Sequence, residues 1–343
     1  MCKKYCGMRS KMRKQWIAMI LILCMMVNLC GCQKKKEKKK EKELTQVTMM
    51  LDWSPNTNHT GLYVAQAKGY FDDVGLEVEI VLSPDDTATD MVSVGTAEFG
   101  IDSQDNLAEG FVGDDPLSVT AVAAIIQHNT SGLISTLDKG IRTVKDLEDH
   151  TFATKDVLME QTIIHKAMEK NGGDFGRVKL ISSYVDDIVT ALHTDIECVW
   201  SYYGWDGVRC EQEGMLINFV PLREMDETFD FYSPVIIANN DFLTESPDTA
   251  EAFLKAVKKG YEFAVKKPED AAAILCAAAP NLNRRIALRS QQYLSEQYIN
   301  DAAQFGVFDA DRWNLFFKWV NENKLVDGVI PENTGFTNEY IVE

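Results

Sequence analysis

Four short stretches hold the residues with chemical capability. The first, "LDWSPNTNHTGLYVAQAKGYF" at 51–71, gathers Trp53, Asn56, Asn58 and His59 into a polar loop between an apolar run and an amphipathic one. Trp53 offers a flat face on which a ring can stack, and Asn56, Asn58 and His59 offer hydrogen bonds. The second, "ECVWSYYGWDGV" at 197–208, is the densest aromatic cluster of the chain, with Trp200, Tyr202, Tyr203 and Trp205 closed by Asp206 and Gly207. Large rings with polar edges need partners. Trp200 and Tyr202 suit a strand in the core, whereas Tyr203, Trp205 and Asp206, past the predicted strand end, are the better site residues. The third, "TKDVLMEQTII" at 154–164, sets Glu160 near a helix N-terminus, where the dipole favours a carboxylate with or without a ligand. In the fourth, "FGIDSQDNL" at 99–107, Ser103 is either a helix cap or a ligand hydroxyl.

This is the chemistry of binding. No two of the histidines His59, His128, His150, His165 and His193 are four residues apart, so no metal site is expected. There is no nucleophile elbow, phosphate loop or zinc motif. His59 therefore reads as a hydrogen-bonding residue. Only Cys198, Cys210 and Cys276 lie in the body of the chain, spaced for neither a metal nor a disulfide framework. Buried free thiols are expected, with a Cys198–Cys210 bridge as the alternative.

The elements that position these stretches follow from periodicity. Apolar runs predict strands at 46–52, 76–82, 98–102, 118–126, 131–135, 151–154, 178–182, 196–200, 215–220 and 234–238. Amphipathic spacing predicts helices at 60–70, 86–94, 104–110, 143–148, 160–170, 185–193, 205–213, 247–264, 268–277, 284–298 and 309–321. "SPDD" at 83–86 supplies Ser/Asp caps, "NGGD" at 171–174 ends a helix, and Ser246 caps a helix with Pro247 at its first position. Strands alternating with helices mean an α/β architecture, here in blocks of roughly 46–130 and 134–232 with a mainly helical C-terminal third. Two such lobes joined by short crossings would hold a ligand between them.

The N-terminus is different material. Basic residues precede an apolar run from Trp16 to Leu29, which reads as a signal peptide over 1–32. The charged run "QKKKEKKKEKE" then forms a tether over 33–45 that can bury nothing. Residues 1–43 hold 13 Lys and Arg against 3 Asp and Glu, which leaves 22 against 49 for residues 44–343. A body this acidic excludes a nucleic-acid partner and favours a neutral or cationic ligand.

"LCGC" at 29–32 resembles a bacterial lipobox, which implies Cys32 as a lipidated N-terminus. "LDWSPNTNHTGLYVAQAKGYFDDVGLEVEI", "VSVGTAEFGIDSQDNL" and "VWSYYGWDGV" together resemble the ABC-transporter substrate-binding proteins for thiamine pyrimidine precursors. That family shares its fold with the eukaryotic thiamine pyrimidine synthases. The resemblance implies a type II periplasmic-binding-protein fold, α/β, with lobe one at 46–133 plus 234–343 and lobe two at 134–233. It implies ligand contacts from Trp53, Asn56, His59 and Tyr63 on lobe one, and from Glu160, Tyr203, Trp205 and Asp206 on lobe two. Trp53 or an aromatic opposite would stack the pyrimidine, and Glu160 or Asp206 would accept from its exocyclic amine. The synthases' pyridoxal-phosphate lysine and neighbouring histidine are replaced here by Asp102 and Asn106, and the region of their cysteine run reads "TFDFYSP" at 228–234.

The resulting expectation is a membrane-anchored, extracytoplasmic, monomeric binding lipoprotein. It would pass a small aromatic heterocycle to an ABC permease, with no cofactor and no catalysis. The alternatives are a synthase-like enzyme, or the same fold holding riboflavin or a sulfonate. A sulfonate would need cations at the cleft, and the four stretches supply only Lys68 and Lys155.

Overall fold

Ten strands occur among the described residues, each within two residues of where the apolar runs predict it. The computed structural model describes residues 44–83 and 88–342. The signal peptide, Cys32, the tether up to residue 43 and the capping residues Asp85 and Asp86 lie outside the described residues.

The first sheet has the order β2-β1-β3-β10-β4, built from β1 (Thr45–Leu51), β2 (Leu76–Leu82), β3 (Phe99–Asp102), β4 (Val119–Ala124) and β10 (Val235–Asn239). β1 runs parallel to β2 and β3, while β10 is antiparallel to both β3 and β4. Burial follows position: β10 reads VIIAN and is buried throughout, whereas the edge strand β2 reads LEVEIVL and buries alternate residues at its start.

The second sheet has the order β7-β6-β8-β5-β9, from β5 (Ser131–Thr136), β6 (Thr151–Thr154), β7 (Lys179–Ser182), β8 (Cys198–Tyr202) and β9 (Ile217–Pro221). The chain leaves the first sheet after β4 and returns to it at β10, so residues 125–130 and 222–234 are two crossings between the sheets. The two α/β sheets give the doubly layered, two-lobed architecture of the type II periplasmic-binding fold.

One apolar cluster runs through both sheets, from Met50, Val235 and Ile237 to Leu133, Phe152 and Cys198, and takes in Phe229 and Phe231 of the second crossing. The helix Ala310–Glu322 closes it, with Phe316 4.5 Å from Phe231 and Trp319 5.2 Å from Phe229 between ring centroids. A second cluster joins the first sheet to the helix Pro247–Lys266, where Phe253 stacks on Phe99 at 3.9 Å. Burying each such ring contributes about 3 kcal/mol. Pro247 opens this helix as the sequence predicts, but Ser246 makes no side-chain capping bond.

Several helices depart from expectation: that at 185–193 shortens to Ile188–Ala191, and that at 143–148 is the 3-10 turn Val144–Leu147. The run 60–70 stops at Ala67 because Gly69 takes φ +70°, and Tyr70–Val74 begins a separate helix. Residues Tyr203–Gly207 wind as a single π-helical turn before the helix Val208–Gln212. Gly204 permits this, since a Cβ there would lie 2.8 Å from Leu294. The helix expected to reach 298 ends at Leu294. Cys198, Cys210 and Cys276 are buried and unbridged. No helix among the described residues is long and apolar enough to cross a membrane.

Candidate functional site

The opening loop is held together from within. Asn56 caps the turn Thr57–His59: its side-chain oxygen accepts from the Asn58 backbone at 2.8 Å, and its amide donates to the Ser54 carbonyl at 3.1 Å. The Asn56 backbone N–H donates to His59 Nδ1 at 3.3 Å. Since Nδ1 accepts, the ring proton sits on Nε2, which donates to Asp52 Oδ1 at 2.8 Å. His59 is fully buried. The side chains of Asn56 and His59 are thus spent on loop geometry, and what they set in place is Asp52 and the half-exposed Trp53. The Thr57 and Asn58 carbonyls accept from Tyr298 and Tyr261 at 2.6 Å each, pinning the loop to the C-terminal helices. Tyr63, on the helix Thr60–Ala67, packs against the lobe-one core, and burial raises its pKa.

Across from this loop stand residues that follow the carboxyl ends of second-sheet strands. Tyr184, beyond β7, faces Trp53 with ring centroids 6.3 Å apart and planes inclined at 42°. Both rings are well exposed, at 41% for Trp53 and 52% for Tyr184. Lys155, directly after β6, places its ammonium 5.4 Å from the Tyr184 ring. Glu160, in the first turn of the helix Leu158–Lys170, accepts from the Lys155 backbone at 3.1 Å, and burial raises its pKa against that bond.

β8 continues to Tyr202, two residues past its predicted end, and this sets where the two tyrosines point. Side chains alternate along a strand. Tyr202 reaches Ser233 of the second crossing, hydroxyl to hydroxyl, at 3.0 Å. Tyr203 turns the other way, donating to Glu211 at 2.7 Å and packing on Phe219 and Tyr293. Burial and Glu211 together push the Tyr203 phenol up to about 12. Trp205 is half-buried within the π turn. Asp206 accepts from the Ser201 hydroxyl, and burial raises its carboxyl.

The turn after β3 completes the site. Asp102 accepts from Thr89, from the Ser103 backbone at 2.7 Å and from Asn106 at 3.0 Å, yet burial lifts its pKa to about 6. Ser103 stands at the N-cap of the helix Gln104–Gly110. A carboxylate bonded to Asn106 cannot form the Schiff base that pyridoxal phosphate requires, so the residues of this turn do not fit that group. Asp105, one turn on, is raised by burial and lowered by the Ser103 hydroxyl and the Lys155 charge. Burial raises the Tyr202 phenol, with Asp105, Asp52 and Asp102 adding to the shift. Tyr202 meets the second crossing at Ser233, and Gln104, beside Asp105, meets it at Tyr232.

Of the residues singled out from sequence, Trp53 meets a ring from the other sheet's loops, Glu160 accepts from the Lys155 backbone, and Ser103 stands at a helix N-cap. Asp52, Asp105, Lys155, Tyr184 and Tyr202 were not chosen as site residues from the sequence. Each lies at or just beyond the carboxyl end of a strand, where open α/β sheets take their ligands, and that rule applied to every strand would have found them.

Comparison with known proteins places this geometry among relatives. The chain is 25% identical over 304 residues to a formylaminopyrimidine-binding protein of Halalkalibacterium halodurans, covering 86% of this chain and 90% of that one. It is 22% identical over 308 residues to a 4-amino-5-hydroxymethyl-2-methylpyrimidine phosphate synthase of Legionella pneumophila, covering 87% and 92%. The fold matches the periplasmic aliphatic sulphonate binding protein SsuA of Escherichia coli with a TM-score of 0.65 at 12% identity, over 83% of this chain and 89% of that one. The NMT1/THI5 like family matches residues 56–271, more than half of the sequence, and the chain belongs to that family.

Proposed function

We propose that this protein is an extracytoplasmic, lipid-anchored solute-binding protein of an ABC importer, and that its ligand is a thiamine pyrimidine precursor of the aminopyrimidine type. The observation that carries the ligand class is the Trp53–Tyr184 pair, one ring from each lobe, set in an acidic surround. A flat ring between two others needs about 7 Å, two contact distances of about 3.5 Å. The observed separation of 6.3 Å lies just short of that. A small opening admits the ring, and closing then stacks it on both lobes. A ligand that touches both lobes binds the closed state better and shifts the population toward it, and the permease reads the closed shape.

Charge supports the same reading over a sulfonate. Asp52 stands directly before Trp53, and Lys155 is the cation over the opposite ring. Lys68 lies over the Phe263 ring at 4.6 Å, on the helical side of lobe one. A carboxylate accepts from the donors of an aminopyrimidine and repels a sulfonate. The 25% identical relative is named for a formylaminopyrimidine. No bond of the ligand is broken in this scheme. Lipid anchoring rests on Cys32 and the signal segment alone.

The test is a thermal-shift panel of aminopyrimidines, thiamine, riboflavin and alkylsulfonates. At a hundredfold excess over Kd the cognate ligand stabilises by about 2.7 kcal/mol. An aminopyrimidine is expected to raise the melting temperature, and Trp53→Ala is expected to abolish the rise while keeping the ligand-free melting point. A shift from alkylsulfonates alone would sink the ligand assignment. Pyridoxal phosphate absorbance together with iron in the purified protein would point instead to synthase chemistry.

A further inference from the structure

The helix Arg284–Leu294 carries a polar residue in its buried stripe. Ile286, Ser290 and Leu294 recur every four residues, which puts them on one face, and all three are buried, Ser290 completely. A buried hydroxyl needs partners, and Ser290 has two from different lobes: the Thr57 hydroxyl of the opening loop and the Gly204 carbonyl of the π turn. The order of donation follows from the groups. A carbonyl only accepts, so the single Ser290 proton goes to Gly204, and the Thr57 hydroxyl donates to Ser290 Oγ. Thr57 is itself fully buried, and its carbonyl accepts from Tyr298 at 2.6 Å.

The rest of the helix repeats this arrangement. It belongs to lobe one: Leu294 lies in the apolar cluster of the first sheet, and Asn283 caps the helix by accepting from the Arg285 and Ile286 N–H groups at 3.0 and 3.3 Å. Toward lobe two, Arg285 donates to the Gln212 carbonyl at 2.8 Å, at the end of the helix Val208–Gln212. Tyr293 meets Tyr203 with ring centroids 4.9 Å apart, and Leu294 closes on Gly204. One helix of lobe one thus lies along residues 203–212 of lobe two and touches both ends of that segment. Beside the two covalent crossings, this face is a further, non-covalent connection between the lobes. At its centre, Ser290 joins the turn that sets Trp53 in place to the turn that carries Trp205.

We propose that Ser290 is a positioning residue of the cleft: through Thr57 on one side and Gly204 on the other, it holds the two lobes at the separation where Trp53 meets Tyr184. Without its hydroxyl, the Gly204 carbonyl and the Thr57 hydroxyl lose their partners while the lobes are together, and water supplies new ones once this face parts. The balance then moves toward parted lobes. Gly204 reaches the same end by another route, because Leu294 packs on it only in the absence of a Cβ, which would lie 2.8 Å away. The affinity readout rests on the aminopyrimidine reading, whereas the lobe separation does not.

The experiment applies small-angle scattering and calorimetry to wild type, Ser290→Ala and Gly204→Ala, the second variant pushing the π turn off Leu294 without removing a hydrogen-bonding group. Both variants are expected to show a larger ligand-free radius of gyration than wild type at unchanged mass, and to return to the wild-type value with the aminopyrimidine that gives the largest thermal shift. Their affinity for that aminopyrimidine is expected to fall by up to about 10-fold, the loss of one hydrogen bond's worth of closed population. A fall in affinity at an unchanged ligand-free radius supports the inference when wild type itself contracts on binding, since wild type then stands open before ligand arrives. Arg285→Ala, at an exposed contact of the same helix, takes the place of Ser290→Ala if that variant does not fold. Radius and affinity both equal to wild type would overturn the inference. So would a larger radius that saturating ligand does not reduce, which marks a loosened fold. If wild type binds no aminopyrimidine, the functional reading is what fails, and the ligand-free radius alone decides the role of Ser290.

Discussion

Asp102 shows how a single carboxylate is tuned against its own hydrogen bonds. Three donors favour its charged form, yet burial outweighs them and the pKa rises to about 6. An unfolded aspartate titrates near 3.9. Between those values the folded chain binds more protons than the unfolded one, so this group's contribution to stability falls as pH rises through the window and is lowest above about 6. In Asp102→Asn the amide oxygen still accepts from Ser103 and Asn106, and the Thr89 hydroxyl reverses to accept. Urea unfolding of wild type and Asp102→Asn at pH 4.5 and 7.5 is expected to show wild type losing ground to the variant at the higher pH. A gap that does not change with pH would contradict the burial argument. The same residue logic explains why His59 and Asn56 are more legible as loop builders once the partners are seen: a histidine in a polar loop has the same sequence whether its ring faces a ligand or Asp52.

The two crossings between sheets are joined by one element-level device. His128, on the first crossing, bonds Asp230 on the second at 2.6 Å through Nδ1, and Asp301 at 3.0 Å through Nε2. Asp230 also accepts from the Asn129 N–H at 2.8 Å. With a carboxylate on each nitrogen the ring is held as an imidazolium; the Asp230 hydrogen bond raises its pKa, against burial and the Arg312 charge. A raised histidine pKa gives stability that is fully present below its unfolded value of about 6.5 and is lost as pH rises through the folded value. His128→Gln is therefore expected to destabilise the protein most at pH 6 and progressively less toward pH 9, read from paired denaturation curves. An equal cost across that range would rule out the charged link. The strands on either side of the crossings were readable because apolar runs and period-two alternation are local. The helix ends were less so, since a π turn at Tyr203–Gly207 depends on how closely Leu294 approaches Gly204.

At the scale of the whole molecule, the Trp53–Tyr184 contact describes the lobes drawn together. The helix Arg284–Leu294 spans the same junction: the Ser290 hydroxyl bonds Thr57 in the opening loop and the Gly204 carbonyl in the π turn. In the proposed scheme the lobes part to admit the ring and then close on it, with the crossings bending. Small-angle scattering is expected to give a smaller radius of gyration with saturating aminopyrimidine than without, at unchanged molecular mass. Identical radii would mean that the lobes do not move. The acidic charge of residues 44–343 favours neutral or cationic ligands at this junction, as the sequence already implied.

The sequence by itself determined the α/β alternation, the ten strands, the acidity of the body and the place of Trp53 at a strand's end, because each is written in local periodicity or in composition. Tertiary structure alone decided which side chains meet Trp53. Tyr184 follows a strand of the other sheet, and β8 running to residue 202 sends Tyr202 to Ser233 and Tyr203 to Glu211. Those facts depend on which groups from distant segments pack together, and such pairings leave no pattern in neighbouring residues.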